Sequence, residues 1–459
     1  MDQKKEHFSS KIGFLLTAIG SAVGLGVLWK FPFTVAKNGG GLFILSYIFC
    51  IVLIGLPLFI GEILLGRKSQ KGAVLAFQEL NSRKAWSLGG MLGVIASFFI
   101  MSFYSVIAGW GLSYILMSLS DFSENLNAGD VSKVFYLLSE SGGISVLWHG
   151  IFTLLVMKIV NSGLKDGIEY WSTFMMRALF ILLFLLVLYN MTLPGFQKAV
   201  EYLVYGEPGS YTNSSFIEAL GLAFFTLSLG QGIMISYGGY VRKNDNVPMM
   251  CLFVSVSVII VATLAALLIF PAVFSYGLEP SMGTGMVFQT LPFLFKNLLG
   301  GKVVSIAFFS LFTFAAITSA VAFVEVVAVN IMDHYDVGRK KATFIVCTLT
   351  FFVGIPSAFS ASSGVFPEWK EVYGMEFLET IDYIVTVWII PFAGLITSLF
   401  LGWGVSKKVW SEEFKRGCPY PRLFSLWHFF IRYICPVSIG VIILDKTHLV
   451  DISSIFSAW

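Results

Sequence analysis

Charge is what this chain has least of. Asp, Glu, Lys and Arg make up 12% of its 459 residues, roughly half the share found in soluble domains. Polar side chains are too few to cover a water-facing surface of that size. A cytosolic enzyme, a nucleic-acid binder and a disordered scaffold are therefore excluded together. The five histidines (His7, His149, His334, His428, His448) are scattered, with no HExxH and no Cys/His spacing, so nothing supplies the metal or nucleophile–base set of a membrane-embedded enzyme. Five cysteines (Cys50, Cys251, Cys347, Cys418, Cys435) lie in or beside apolar runs without paired spacing. They read as small packing residues, not as disulfides or metal ligands. The opening residues MDQKKEHFSSK are too polar for the core of a cleaved signal peptide, so the first apolar run is expected to stay as a structural helix.

Apolar residues fill the space that charge leaves. They reach 56% of the chain, with 45 Phe and a mean hydropathy of +0.82. A bilayer core needs about 20 apolar residues per helix. Eleven segments qualify: 12–36, 41–66, 86–119, 143–161, 169–193, 215–240, 247–275, 302–333, 341–360, 376–404 and 422–445. The class is an all-α polytopic membrane protein, and no linker is long enough to set off a second domain. The stretch 276–300 holds VFQTLPFLF, too short to span and expected to lie as a helical cap on the bundle.

Positive charge alternates from loop to loop, as cytoplasmic loops require. One side collects Lys4, Lys5, Lys11, Arg67, Lys68, Lys71, Arg83, Lys84, Arg242, Lys243, Arg339, Lys340, Lys341, Lys407, Lys408, Lys415 and Arg416. The other holds Asp121, Glu124, Asp130, Glu140, Glu201, Glu207, Glu368 and Glu371, with fewer basic residues. The expectation is a cytoplasmic N-terminus and a C-terminus outside, in the plasma (inner) membrane.

Two helices are built to break. The first carries Gly20-Ser21-Ala22-Val23-Gly24-Leu25-Gly26 at its midpoint, and the sixth carries Ser228-Leu229-Gly230-Gln231-Gly232. Glycine within a helix costs about 1 kcal/mol against alanine. One such cluster is compatible with close helix packing. Two clusters five segments apart are the pointer to an inverted-repeat transporter with its site at the midplane, because irregular backbone at that depth must line a cavity.

The first cluster, with Trp29-Lys30-Phe31-Pro32-Phe33 and Asn38-Gly39-Gly40-Gly41 after it, resembles the signature of the neurotransmitter:sodium symporter family. Ala223-Phe224-Phe225-Thr226-Leu227-Ser228-Leu229-Gly230, followed by Tyr240-Val241-Arg242-Lys243, resembles the matching sixth-helix signature. The resemblance runs from about residue 5 to the end and implies a LeuT-like fold. That fold has two five-helix repeats of opposite topology (12–193 and 215–404), helices 1 and 6 broken, and an extra helix at 422–445.

The resemblance also implies a site. The carboxylate of an amino acid would meet the half-helix that starts at Gly24-Leu25-Gly26, where free N–H groups and the dipole favour an anion. Tyr104 matches the family tyrosine that faces this carboxylate, and Ala22 and the carbonyls of Phe225 and Thr226 complete the polar end. Selectivity would come from Ile100, Phe225, Ser228, Gln231, Ser319, Ala322 and Phe323. The buried amide of Gln231 must pair, either with substrate or with the unwound backbone. Carbonyls of Gly20, Val23 and Ala315 with the hydroxyls of Thr318 and Ser319 match the family's second sodium site, an oxygen set suited to a hard cation. At the first sodium site the family's Asn is Val27, and its partner position is Val258, so only the Ala22 carbonyl and the Thr226 hydroxyl remain. Of the chloride site Tyr47 is kept, while Leu222 and Ala262 replace polar residues. Lys30 and Asp382 match the outer gate, Lys5 and Asp333 the inner one, with Phe8 and Tyr240 beside it. Glu62 and Glu325 lie within apolar runs, which marks them as functional candidates; Glu62 could equally tie helices together, and either could carry a proton.

The expectation is a sodium-coupled symporter for a small organic solute, most simply a neutral amino acid. It would work by alternating access with one sodium ion and no chloride. An amine or other solute, or a non-transporting sensor, is the alternative. The partners expected are substrate and bilayer, with no nucleic acid, in a monomer or homodimer.

Overall fold

The computed structural model describes residues 6–120, 128–207, 209–277, 286–362, 366 and 368–447. Lys4, Lys5, Asp121, Glu124 and His448 lie outside them, as does the side chain of Asp130. Among the described residues there is no strand. Nine helices among the described residues are long and apolar enough to cross a bilayer: Gly41–Ser69, Lys84–Leu119, Gly142–Asn161, Leu164–Asn190, Val247–Ser275, Gly301–Tyr335, Arg339–Ala358, Trp369–Gly404 and Leu423–Lys446. Lys11–Ala22 and Gly26–Lys37 form a further crossing bent by 52° at the break between them. Asn213–Thr226 and Ile233–Gly238 flank a second break at residues 227–232. Counting this pair gives the eleven spans expected, numbered here in chain order.

The breaks have local causes. Ser10 accepts from the Gly13 N–H at 2.9 Å and starts the first helix; Val23, at φ −86° and ψ 69°, ends it. In the sixth span Ser228, Gly230 and Gly232 take φ of +53°, +69° and +73°, the left-handed region that glycine enters without a Cβ penalty. A Cβ on Gly230 would come 2.6 Å from the Ile390 carbonyl oxygen. Backbone freed by such a break needs new partners inside a membrane. Glu62 provides one, accepting from the Gly230 N–H at 2.9 Å. Glu62 thus ties the second span to the second break.

The eighth span, Gly301–Tyr335, is the buried axis of the bundle and packs along the third, fifth and ninth. The cap expected in 276–300 is helical from Met286 to Lys296. Phe288 sits edge-on to Trp110 and Phe312, and Tyr114 donates to the Phe288 carbonyl at 2.6 Å. Helices outside the expected segments include Ala73–Leu80, Ala128–Glu140, Phe196–Tyr205 and Lys407–Lys415. They are too short or too polar to register as spans.

One loop charge behaves unlike a solvated one. Arg67 is 2% exposed. Its Nε donates to Glu413 at 2.7 Å, Nη2 to the Glu413 carbonyl at 2.5 Å and Nη1 to the Asp245 carbonyl at 2.7 Å. The end of the second span, the loop before the seventh and the helix Lys407–Lys415 are joined through one guanidinium, whose planar fork suits several acceptors at once.

Candidate functional site

The two breaks face each other and the eighth and third spans close the ring around them. Ser228 donates to the Ser21 carbonyl at 3.1 Å, which links one break to the other. Leu25 N–H donates to the Tyr104 hydroxyl at 3.2 Å. A Cβ on Gly24 would overlap Ser319 Oγ and come 2.8 Å from Tyr104 Oη. Gly24, Leu25, Tyr104 and Ser319 therefore converge on one small volume, and only glycine leaves it open. Gly26 keeps the Phe225 ring in place, since a Cβ there would strike the ring. Phe323 lies edge-on to Tyr104 at 5.5 Å. Ala22, Ile100 and Ala322 are buried in the same core.

Gln231 answers one half of the sequence question. Its carbonyl accepts from Ser97 at 2.7 Å, but its side-chain Oε1 is buried and meets no protein donor among the described residues. The unwound backbone does not satisfy that oxygen.

Of the oxygens assigned to the second sodium site, those of Gly20, Ala315, Thr318 and Ser319 lie close together. Ser319 donates to the Gly20 carbonyl at 3.1 Å and shares its hydrogen with Ser21 at 3.0 Å. Thr318 bonds its own helix, reaching Ala315 O at 3.0 Å and Phe314 O at 3.1 Å. A Cβ on Gly20 would come 3.0 Å from Thr318 Cβ, so the first and eighth spans touch at this level. Val23 caps the helix that carries Gly20. The donor set is all oxygen and fits sodium, a hard cation.

At the first-site position Val27 and Val258 are fully buried. Thr226 hydrogen-bonds Tyr47 at 2.8 Å and its own Leu222 carbonyl at 2.9 Å. Leu222 and Ala262 are buried apolar residues.

The outer gate residues meet. Lys30 Nζ lies 3.6 Å from Asp382 and 4.8 Å from the centre of the Phe225 ring. Of the expected inner pair, Lys5 and Asp333, the structure describes Asp333 alone. Lys5 is outside the described residues, and Asp333 accepts from the Gly72 N–H at 2.6 Å. Tyr240 donates to Glu325 at 2.5 Å, and Arg339 holds the other Glu325 oxygen at 2.6 Å. Glu6 reaches Arg339 at 3.5 Å. Phe8 packs edge-on to Tyr240, and its N–H donates to the Tyr240 carbonyl at 3.3 Å. Glu169 accepts from the Ser9 N–H at 2.8 Å and the Ser9 hydroxyl at 2.5 Å, while Arg242 donates to the Ser9 carbonyl at 2.6 Å. The N-terminal strap is thus fastened by Glu169, Arg242 and Arg339, of which the sequence marked only Arg242, as part of the sixth-helix signature. Arg339 read there as an ordinary loop charge.

Known proteins resemble this chain over nearly its whole length. A sequence model of the sodium:neurotransmitter symporter family matches residues 5–135 and 127–455. The chain is 37% identical over 445 residues to the uncharacterized sodium-dependent transporter YhdH of Bacillus subtilis, covering 97% of this chain and 98% of that one. It is 24% identical over 440 residues to a sodium-dependent dopamine transporter of Caenorhabditis elegans, covering 81% of this chain and 71% of that one. The crystal structure of MhsT in complex with L-phenylalanine superposes with a TM-score of 0.89 at 35% identity, covering 96% of this chain and 99% of MhsT.

Proposed function

The chain belongs to the sodium:neurotransmitter symporter family and is a LeuT-like, multi-pass, sodium-dependent transporter, and from that premise we propose that it carries a neutral amino acid of medium to large size with one sodium ion and no chloride. The observation that carries this reading is the convergence of Tyr104 Oη, Ser319 Oγ and the Leu25 N–H on the space that Gly24 leaves open. A carboxylate there would receive N–H and O–H donors at the start of a half-helix, the polarity an anion needs. Phe225 and Phe323 give the other end an aromatic lining, and MhsT, in its complex, holds L-phenylalanine.

Sodium would be held by the carbonyls of Gly20, Val23 and Ala315 and the hydroxyls of Thr318 and Ser319. The ion supplies the charge that ties the first span to the eighth, and Ser319 couples it to substrate, because its hydroxyl stands between the Gly20 carbonyl and Gly24. Alternating access would move the two repeats, 12–193 and 215–404, about the breaks, with 422–445 outside both. Lys30–Asp382 would close the outside and Tyr240–Glu325–Arg339 the inside, with the N-terminus cytoplasmic, the C-terminus outside, and the protein a monomer or homodimer in the inner membrane. Opening the inside must release Phe8, Ser9 and Glu6 from their partners.

A stability screen of amino acids and amines, with and without sodium, tests the proposal. Ligand at 100 times its Kd adds about 2.7 kcal/mol. Large neutral amino acids should raise Tm only with sodium present. Stabilisation by amines alone would favour the second reading, a non-amino-acid solute. That reading draws on Val27 and Val258, which take away an ion the carboxylate would otherwise share. Counterflow of labelled solute in vesicles separates either transporter from a sensor.

A further inference from the structure

A cavity of about 680 Å³ opens on the outside of the bundle, between the N-terminal half of the first span and the fifth span. One wall is Ser10 and Ile12; the other is a face of the fifth span carrying Tyr170, Phe174, Arg177 and Ile181. Their spacing of four, three and four residues puts them on one stripe of a helix. Tyr170, Phe174 and Ile181 are 61%, 52% and 60% exposed. Exposed apolar residues on a membrane span face lipid.

Arg177 shares that stripe and is itself exposed. It has no salt bridge and no hydrogen-bonded side chain among the described residues. It lies seven residues beyond Tyr170, about 10 Å along the helix. A charge at that depth is costly and usually turns inward to a partner or a water-filled cavity. This one does not. Side chains on a helix lean toward its N-terminal end, so Arg177 points back to the membrane surface on the N-terminal side, where a long side chain can reach headgroups. Lys165, also exposed, stands at the mouth of the same cavity. The single carboxylate in the lining, Glu169, is buried and already holds the Ser9 and Ser10 N–H groups and the Ser9 hydroxyl. Two cations face one committed anion, leaving the groove net positive.

We propose that this groove binds an anionic phospholipid. Its phosphate pairs with the Arg177 fork, which matches phosphate geometry, Lys165 guards the rim, and an acyl chain runs along Phe174 and Ile181. Such a lipid sits against the half of the first span that carries the N-terminal strap. Met176, the neighbour of Arg177, packs on the other side against Gly20, where a Cβ would come 3.1 Å from its Cγ. The lipid therefore steadies the helix pair next to the sodium oxygens. Only the choice of leaflet rests on the orientation proposed above.

The test uses the full chain in detergent, melted with added phosphatidylglycerol or phosphatidylcholine and no substrate, so its outcome is independent of the amino-acid reading. Phosphatidylglycerol should raise Tm by several degrees more than phosphatidylcholine. Arg177→Met and Arg177→Gln should lose that difference, and Lys341→Ala should keep it. Equal effects of the two lipids, or a difference that survives both Arg177 changes, overturns the proposal. So does the same rise with inorganic phosphate alone, which would assign the groove to a free anion. If the Arg177 variants do not fold, native mass spectrometry of the wild-type chain decides: equal retention of the two lipids overturns it.

Discussion

The Tyr240 hydroxyl stands 2.5 Å from one oxygen of Glu325, and Arg339 holds the other oxygen at 2.6 Å. Glu325 is fully buried, so this carboxylate depends wholly on its two partners. Tyr240 follows the second break, Glu325 lies on the central helix and Arg339 starts the ninth span. The contact joins three elements on the side of the bundle where the N-terminal strap lies.

Breaking that triad from opposite ends should give unequal results. Arg339→Ala leaves a buried carboxylate without its cation, a change that costs about 3–5 kcal/mol. Glu325→Gln removes the charge and keeps the Tyr240 contact, so it should cost less and loosen the inner gate. Melting curves, with labelling of a cysteine at Ser9 from the N-terminal side, read both effects. Equal stability of the two variants would count against an ion-dependent gate.

The substrate pocket makes a steric prediction. Gly24→Ala places a methyl group into Ser319 and Tyr104 and should abolish ligand-induced stabilisation while the fold survives. Tyr104→Phe removes one donor and should weaken binding by about 1–3 kcal/mol. Unchanged affinity in Tyr104→Phe would remove the carboxylate from this end of the site.

Sodium coupling should depend on the eighth span. Thr318→Val with Ser319→Ala deletes two hydroxyls of the second site and should abolish sodium dependence. Thr226→Val deletes a hydroxyl already engaged by Tyr47 and should leave most of it. Uptake in vesicles should show a Hill coefficient of about one for sodium and no chloride requirement. A coefficient approaching two would falsify the single-ion reading.

Topology can be checked at two exposed positions. A cysteine replacing Lys340 should react with an impermeant reagent only from inside, and one replacing Glu201 only from outside. The reverse pattern would invert the charge argument.

Much of this protein was legible in local stretches of sequence. Spans emerge from runs of about 20 apolar residues, and the breaks from Gly20 to Gly26 and from Ser228 to Gly232, because glycine relaxes the backbone wherever the helix ends up. Tyr104, Thr318 and Ser319, which stand around Gly24 and Gly20, were named only through the family resemblance, because they come from distant helices. Lys30 and Asp382 likewise meet as expected. Other pairing across the fold was not legible. Asp333 binds the Gly72 N–H, Arg67 is buried by Glu413 from 346 residues away, and Arg339 pairs with the buried Glu325. In sequence each is one more polar residue near a loop, and composition cannot say which acceptor will stand beside it. Docking decides that, because a charge inside a bundle goes wherever a partner can satisfy it, and the partner arrives only when distant helices pack.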